Sequence, residues 1–146
     1  MRERIPRIIK WIYPRRIWEG PAEEKTLYLT FDDGPIPEIT PWVLEQLKSY
    51  NAKASFFCIG DNVQKHPEVF RQVIKEGHTV GNHTYNHLDG WKTSVEAYLE
   101  NTFMAQKVME RELPQGMNLK NALFRPPYGN TRKLQPHNPP PKGFLI

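Results

Sequence analysis

Three short polar segments of the sequence carry side chains that could do chemistry. The first holds two adjacent carboxylates, Asp32 and Asp33, the second holds His83 and His87, and the third is Arg125 followed by Pro-Pro-Tyr-Gly. Neighbouring side chains at a strand end point in different directions, so one carboxylate can bind a metal ion while the other faces a bound water. The spacing of the histidines predicts that both imidazoles lie on one side of a helical turn. Two histidines and one carboxylate are the ligands of an open catalytic zinc site, beside which a free carboxylate can act as general base.

Each segment alone also has a simpler interpretation. Asp-Asp-Gly-Pro is a common turn, the histidine pair lacks the Glu that zincins carry between their histidines, and an arginine before two prolines could form a surface ion pair. All three segments nevertheless follow predicted strands, and this coincidence favours a shared functional site. The histidines His66 and His78 have no such neighbours and are expected to be structural or solvated.

Short apolar runs alternate with helix-like stretches through the middle of the chain. Apolar runs bounded by Gly, Pro and Asp predict strands, whereas apolar residues at helical spacing predict amphipathic helices. Parallel strands need helical crossovers, and functional groups in such folds gather at the carboxyl ends of the strands. The fold class is therefore α/β, with a parallel sheet or barrel. The predicted strands are 27–31, 54–59, 78–80 and one that opens at 123, and the predicted helices are 41–50, 67–77 and 94–112.

The composition is typical of one globular domain. The chain has 146 residues, of which 38% are hydrophobic and 25% charged, enough apolar side chains for a single core. This length excludes a large multidomain enzyme. Cys58 is the single cysteine, and this count excludes an internal disulfide and a Cys-rich zinc finger. Its side chain is expected in the core.

Positive charge is concentrated at the two ends of the chain. Residues 1–20 carry six basic and two acidic side chains, residues 21–112 carry nine and fourteen, and residues 113–146 carry five and none. A nucleic-acid-binding protein concentrates positive charge on its folded body, so nucleic acid is not expected as a partner.

Residues 1–20 are predicted to form a basic, aromatic arm before a domain over residues 21–146. Two interpretations of this arm stay open. It could be a short helix or extended segment that packs its Ile and Trp against the domain, or it could contact an anionic membrane surface or an anionic glycan. No run approaches the roughly 20 apolar residues of a transmembrane segment, and the arm lacks the apolar centre of a signal peptide. Localisation and oligomeric state stay open.

The three polar segments together resemble the motifs of the polysaccharide deacetylases of the NodB-homology type, carbohydrate esterase family 4. The first motif of that family matches Thr30-Phe31-Asp32-Asp33-Gly34-Pro35, the second matches His83-Thr84-Tyr85-Asn86-His87, and the third matches Arg125-Pro126-Pro127-Tyr128-Gly129. The resemblance extends from residue 25 to residue 130, with the motifs in the order of the family. It implies a distorted (β/α) barrel.

Residue by residue, the resemblance implies a metal-dependent hydrolase. Asp33, His83 and His87 would hold a divalent metal, zinc or another such as cobalt, and Asp32 would be the general base. Arg125 would orient Asp32 and keep it ionised.

The reaction implied by the resemblance removes N-acetyl groups from glycans that contain N-acetylglucosamine, such as peptidoglycan or chitin oligomers. Acetate would be released and a free amine would remain on the sugar. The backbone N–H of Tyr128 would stabilise the oxyanion, Pro127 and Tyr128 would wall the acetyl pocket, and Thr84 would support the histidine loop.

The resemblance stops after Gly129. The family has two further motifs downstream, one with an Asp that tethers the catalytic His and a Leu-x-His that supplies this His as general acid, and the sequence has neither. His137 lies in a proline-rich stretch that matches neither motif and excludes a regular helix. The final residues 143–146 are similar to the start of another strand. We therefore expect the N-terminal part of a longer deacetylase, with a barrel that is incomplete at its C-terminal end.

Two other functions stay open at this point. A catalytically silent glycan-binding protein would keep the groove and lack the general acid. A metal-dependent phosphoesterase would use the same kinds of ligand, but it usually requires two metal ions and more ligands than these. The motifs do not specify the glycan or the choice between N- and O-deacetylation.

Overall fold

The computed structural model describes residues 7–12, 17–18, 26–119 and 123–131. Its centre is a parallel sheet of four strands, β1 (Thr30–Asp32), β2 (Ser55–Cys58), β3 (Thr79–Asn82) and β4 (Leu123–Phe124), which lie side by side in chain order. Each strand continues into the next through a crossover, so all four carboxyl ends meet at one edge of the sheet. The predicted α/β class is confirmed.

Five α-helices accompany the sheet in the part of the chain that the structure describes. They are α1 (Arg7–Ile12), α2 (Ile39–Ser49), α3 (Gly60–Lys65), α4 (Pro67–Lys75) and α5 (Val95–Arg111). Pro67 begins α4 at the position where a missing N–H is harmless, and the Ser94 hydroxyl caps α5 by accepting the Ala97 N–H at 3.2 Å. The predictions of α2, α4 and α5 are confirmed. The prediction omitted α3, since only Val63 and Gly60 of its six residues are buried and no apolar repeat marks it.

The core lies between the sheet and helices α2 to α5. Its centre consists of fully buried side chains from all four of these helices, namely Leu44, Val63, Phe70, Val73 and Met109. Cys58 belongs to this core, as predicted, and burial raises the pKa of its thiol to about 12. A thiol in this environment stays protonated and unreactive.

The first strand begins later than predicted. Residues 27–29 belong to no strand and are exposed, and β1 starts at Thr30, opposite Ser55, the first residue of its neighbour β2. Pairing is therefore limited by the neighbour and not by the apolar character of Leu27 or Leu29.

The N-terminal arm contains helix α1, and none of the residues of this helix is buried. Ile8 and Trp11 are 64% and 81% exposed, so the expectation that Ile and Trp pack against the domain is wrong for this helix, although Trp18 is half-buried. No described helix is long and apolar enough to cross a membrane. Contact of the arm with an anionic membrane surface or glycan stays a prediction. Parts of this arm, His137 and residues 143–146 lie outside the described residues.

Two buried tyrosines allow the cost of an unpaired hydroxyl to be measured. Tyr98 is 1% exposed and its hydroxyl has no hydrogen-bond partner among the described residues, whereas the Tyr85 hydroxyl donates to Gln64 Oε1 at 2.9 Å. A buried hydroxyl without a partner pays its full desolvation cost. We expect Tyr98→Phe to raise the free energy of unfolding by about 1 kcal/mol and Tyr85→Phe to lower it by about as much. Urea denaturation measures both, and a loss of stability in both variants would contradict the assignment.

His78 should make stability depend on pH. Its buried ring accepts the Ala54 N–H at Nδ1 over 3.2 Å, which requires the neutral form, and burial followed by the charge of Lys53 lowers its pKa below the ordinary 6.5. As pH falls through the ordinary value, the unfolded state binds the proton first, so stability decreases. We expect His78→Gln to flatten the decrease in unfolding free energy on acidification, measured by urea denaturation over that pH range. An unchanged pH dependence would show that His78 does not contribute.

Candidate metal and catalytic site

The three polar segments meet at the carboxyl edge of the sheet. Asp32 is the last residue of β1, Asp33 follows it, His83 follows β3, and Arg125 follows β4. The parallel register places these ends at the same edge of the sheet, and side-chain contacts join them there. The three polar segments, which the sequence placed after three strands, therefore lie together in the structure.

Asp33, His83 and His87 converge on one point. The carboxylate Oδ1 of Asp33 lies 3.4 Å from His83 Nε2 and 3.2 Å from His87 Nε2, and the three ligand atoms lie within 4.8 Å of one another. Two imidazole nitrogens and one carboxylate oxygen suit zinc or a related divalent ion. The Asp33 side chain is more than half exposed, so the side of the cluster away from the histidines is open.

A second contact fixes the His83 ring. Its Nδ1 lies 2.6 Å from the carbonyl oxygen of Arg125. Since a carbonyl can only accept, Nδ1 carries the hydrogen and the lone pair of Nε2 faces Asp33. Burial is the main cause that lowers the pKa of His83, and the neutral ring is the form that binds a metal.

The segment between the two histidines is not the helical turn that their spacing predicted. Thr84 and His87 have φ angles of 64° and 56°, in the left-handed region. The Leu88 N–H donates to Thr84 Oγ1 at 3.2 Å, while the N–H of Thr84 donates to Asn82 Oδ1 at 2.8 Å. The segment between the imidazoles is therefore an irregular loop. Thr84 links the two ends of this loop through its hydrogen bonds to Asn82 and Leu88.

Asn101, which the sequence did not single out, holds this loop from outside. Its Oδ1 accepts the backbone N–H groups of Tyr85 and Asn86 at 2.8 and 3.1 Å, and its Nδ2 donates to Asn86 Oδ1. Asn101 lies on α5, so this helix supports the loop between the two histidines. A single asparagine on a helix carries no recognisable signal for this role.

Asp32 does not belong to the candidate metal cluster and pairs with Arg125. Arg125 Nη1 donates to Asp32 Oδ1 at 2.7 Å and to Thr30 Oγ1 at 3.0 Å, and its guanidinium carbon lies 4.0 Å from the centre of the Phe57 ring. Such stacking adds attraction and fixes the plane of the guanidinium. Phe57 pairs with Asp32 in the sheet, and only knowledge of this register could have identified it.

The turn Pro127–Gly129 lies beside His87. Tyr128 has φ 58° and its ring lies edge-on to His87, with ring centres 4.8 Å apart. Pro127 was expected to wall the acetyl pocket, but it is fully buried, and Pro126 lines the cavity in its place. Within this turn Pro127 is buried, whereas Tyr128 is exposed.

An open cavity of about 950 Å3 adjoins these groups. Its polar side is formed by Asp32, Asp33 and Arg125 with the two histidines, and Trp18 and Tyr28 line it as well. The aromatic residues were not predicted to take part. Water and substrate can therefore reach both the base candidate and the open side of the metal cluster.

Similarity to known proteins agrees with this geometry. The sequence model of the polysaccharide deacetylase family matches residues 19–135. A peptidoglycan-N-acetylglucosamine deacetylase of Bacillus cereus is 45% identical over 112 residues, which are 77% of this chain and 50% of that protein. The chain therefore spans about half the length of this curated relative.

Two solved structures extend the comparison. The Bc1960 peptidoglycan N-acetylglucosamine deacetylase superposes with a TM-score of 0.78 and 35% identity, over 86% of this chain and 57% of that one. A family 4 acetyl xylan esterase from Clostridium thermocellum, in complex with a cobalt ion, has a TM-score of 0.68 and 30% identity, over 77% of this chain and 53% of that one. The predicted NodB-type fold is confirmed. With three matching motifs at one sheet edge and a family match over most of its length, this chain belongs to the polysaccharide deacetylase family.

Proposed function

We propose that this protein hydrolyses N-acetyl groups on glycans that contain N-acetylglucosamine, such as peptidoglycan or chitin oligomers. The observation that carries the proposal is the pairing of the Asp33, His83 and His87 cluster with the separate Asp32–Arg125 ion pair in one open cavity. The curated relative described above is named for peptidoglycan N-acetylglucosamine, which supports this substrate class.

Asp33, His83 and His87 would hold the metal ion, zinc or another divalent ion such as cobalt. When bound, such an ion polarises a carbonyl oxygen and makes a coordinated water more acidic. The protein contributes the rest of the site. The Arg125 carbonyl fixes the His83 tautomer, and the exposed side chain of Asp33 faces the cavity.

Asp32 would act as general base. Arg125 occupies its Oδ1, so its Oδ2 is the oxygen that would take a proton from the attacking water. The water oxygen bonds to the acetyl carbon while its proton passes to Asp32, and when the C–N bond breaks the nitrogen takes up a proton, so that acetate and a sugar amine result. The backbone N–H of Tyr128 would donate to the oxyanion as negative charge develops.

The leaving amine needs a proton. The source of this proton separates the deacetylase from a second candidate function. An imidazole could donate this proton. The described residues that line the cavity include the imidazoles of His83 and His87, and the proposal assigns both to the metal. A protein with this cavity and no general acid would bind the glycan and the metal without turnover. The silent glycan-binding function is therefore the alternative to test.

Asp32→Asn separates catalysis from binding. The amide keeps the shape of the side chain and can still accept from Arg125, but it is no base. We expect acetate release from N-acetylglucosamine oligomers to fall by at least about a hundredfold, since a positioned base contributes roughly that much or more. Zinc affinity, measured by calorimetry on the same samples, should stay within about twofold because the Asp32 carboxylate bonds to Arg125 and not to a member of the cluster.

The outcomes distinguish the two candidate functions. Acetate release by the 146-residue chain that depends on Asp32 supports the deacetylase. Binding of zinc and oligosaccharide without acetate release supports the silent glycan-binding protein. Acetate release that Asp32→Asn leaves unchanged would contradict the assignment of the base.

His87→Ala tests the metal site directly. His87 supplies one of three convergent ligand atoms, so we expect zinc affinity to fall by at least about tenfold, by analogy with the 10- to 100-fold cost of losing even a supporting group. His66→Ala is the matched control, because His66 precedes α4 and lies outside the cluster. Competition with a chromophoric chelator measures both. Equal affinity in both variants would exclude His87 as a ligand.

A further inference from the structure

The histidine loop and the Pro127–Gly129 turn also meet beyond the metal ligands. Asp89 lies two residues after His87, and Asn130 lies two residues after Tyr128. Asn130 Nδ2 donates to Asp89 Oδ1 at 3.1 Å. The Trp91 indole Nε1 donates to the carbonyl oxygen of Thr131 at 3.3 Å, which adds a second link between the same two segments.

Asp89 is itself held in place by its own turn. Its Oδ1 also accepts the Trp91 N–H at 2.9 Å, and its carbonyl oxygen accepts the Lys92 N–H and the Thr93 hydroxyl at 3.1 and 2.8 Å. The side chain is only 16% exposed. A carboxylate fixed in this way can act as an anchor for a neighbouring segment.

The turn that receives this anchor contains a strained residue. Tyr128 has φ 58°, a conformation that residues with a side chain adopt at a cost, so the surrounding contacts must maintain it. Before the turn, the Arg125 carbonyl contacts His83. After the turn, the link from Asn130 to Asp89 is the corresponding contact. The two contacts hold the turn from both sides against the histidine loop.

We propose that Asp89 is a positioning residue that, through Asn130, fixes the Tyr128 turn against His87. The role of this turn in deacetylation rests on the proposed function, whereas the anchoring does not. A purely local role for Asp89, restricted to residues 89–93, is the alternative.

Four variants and a control separate these roles. Asp89→Ala removes the anchor together with the local bond to Trp91, and Asn130→Ala removes only the link between the segments. Asp89→Asn keeps an acceptor oxygen and should behave as the parent protein. The fourth variant combines the two alanine substitutions. Asp61→Ala is the control, since its carboxylate pairs with exposed Lys65 on α3.

Amide hydrogen exchange is the readout that does not require activity. The N–H groups of Gly129 and Asn130 donate to Pro126 and Pro127 within the turn, so their exchange reports its opening. We expect exchange to accelerate about tenfold in Asp89→Ala and in Asn130→Ala, and no further in the double variant, because both changes break one link. Asp89→Asn and Asp61→Ala should exchange as the parent protein does.

Acetate release gives the second readout. We expect kcat to fall about tenfold in both single alanine variants, with KM and zinc affinity within about twofold, since a displaced donor weakens the transition state and not the ground state. Asp89→Asn should restore kcat. If the parent protein releases no acetate, the proposed function fails, and the exchange data still decide the anchoring. Unchanged exchange in Asn130→Ala, whatever Asp89→Ala does, would overturn the proposal.

Discussion

The hydrogen bond between the His83 ring and the carbonyl oxygen of Arg125, 2.6 Å long, joins the ends of β3 and β4. It sets the tautomer of His83, a candidate metal ligand after β3, and the backbone position of the cation Arg125 after β4. The same arginine reaches across the sheet edge to Asp32 on β1. Loss of this bond would therefore affect His83 directly and the base candidate Asp32 through Arg125.

The two adjacent carboxylates owe their different environments to the end of one strand. Asp32 still has strand geometry and faces Arg125, which stacks on Phe57 of the neighbouring strand. Asp33 has φ 68°, so the chain turns there and its side chain is directed to the histidines. A continued strand would place the two side chains on opposite faces of the sheet. The turn instead keeps both at the edge, Asp33 as the candidate metal ligand and Asp32 as the candidate base.

Apolar periodicity and turn residues are local signals, and they were sufficient to predict the four strands and three of the helices. The grouping of Asp33 with His83 and His87 came from the motif resemblance, because the residues alone left open which carboxylate joins the histidines. The sequence failed where the conformation depends on distant partners. The histidine loop is irregular because Asn101 on α5 binds its backbone, which outweighs the helical preference of the spacing. Helix α3 lacks an apolar repeat, and the exchange of Pro127 for Pro126 at the cavity wall depends on how the turn packs.

Backbone strain supports the location of the site independently of motif matching. Among the described residues, six other than glycine have φ in the left-handed region, and four of these, Asp33, Thr84, His87 and Tyr128, belong to the site. Each such residue costs about 1 to 3 kcal/mol and persists only where surrounding contacts maintain it. Side chains of Asn62, Asn82, Asn101 and Asn130 contact the segments that contain them. These asparagines hold four strained residues at one edge of the sheet, where a regular backbone could not bring the two imidazoles, the carboxylate and the Tyr128 turn together.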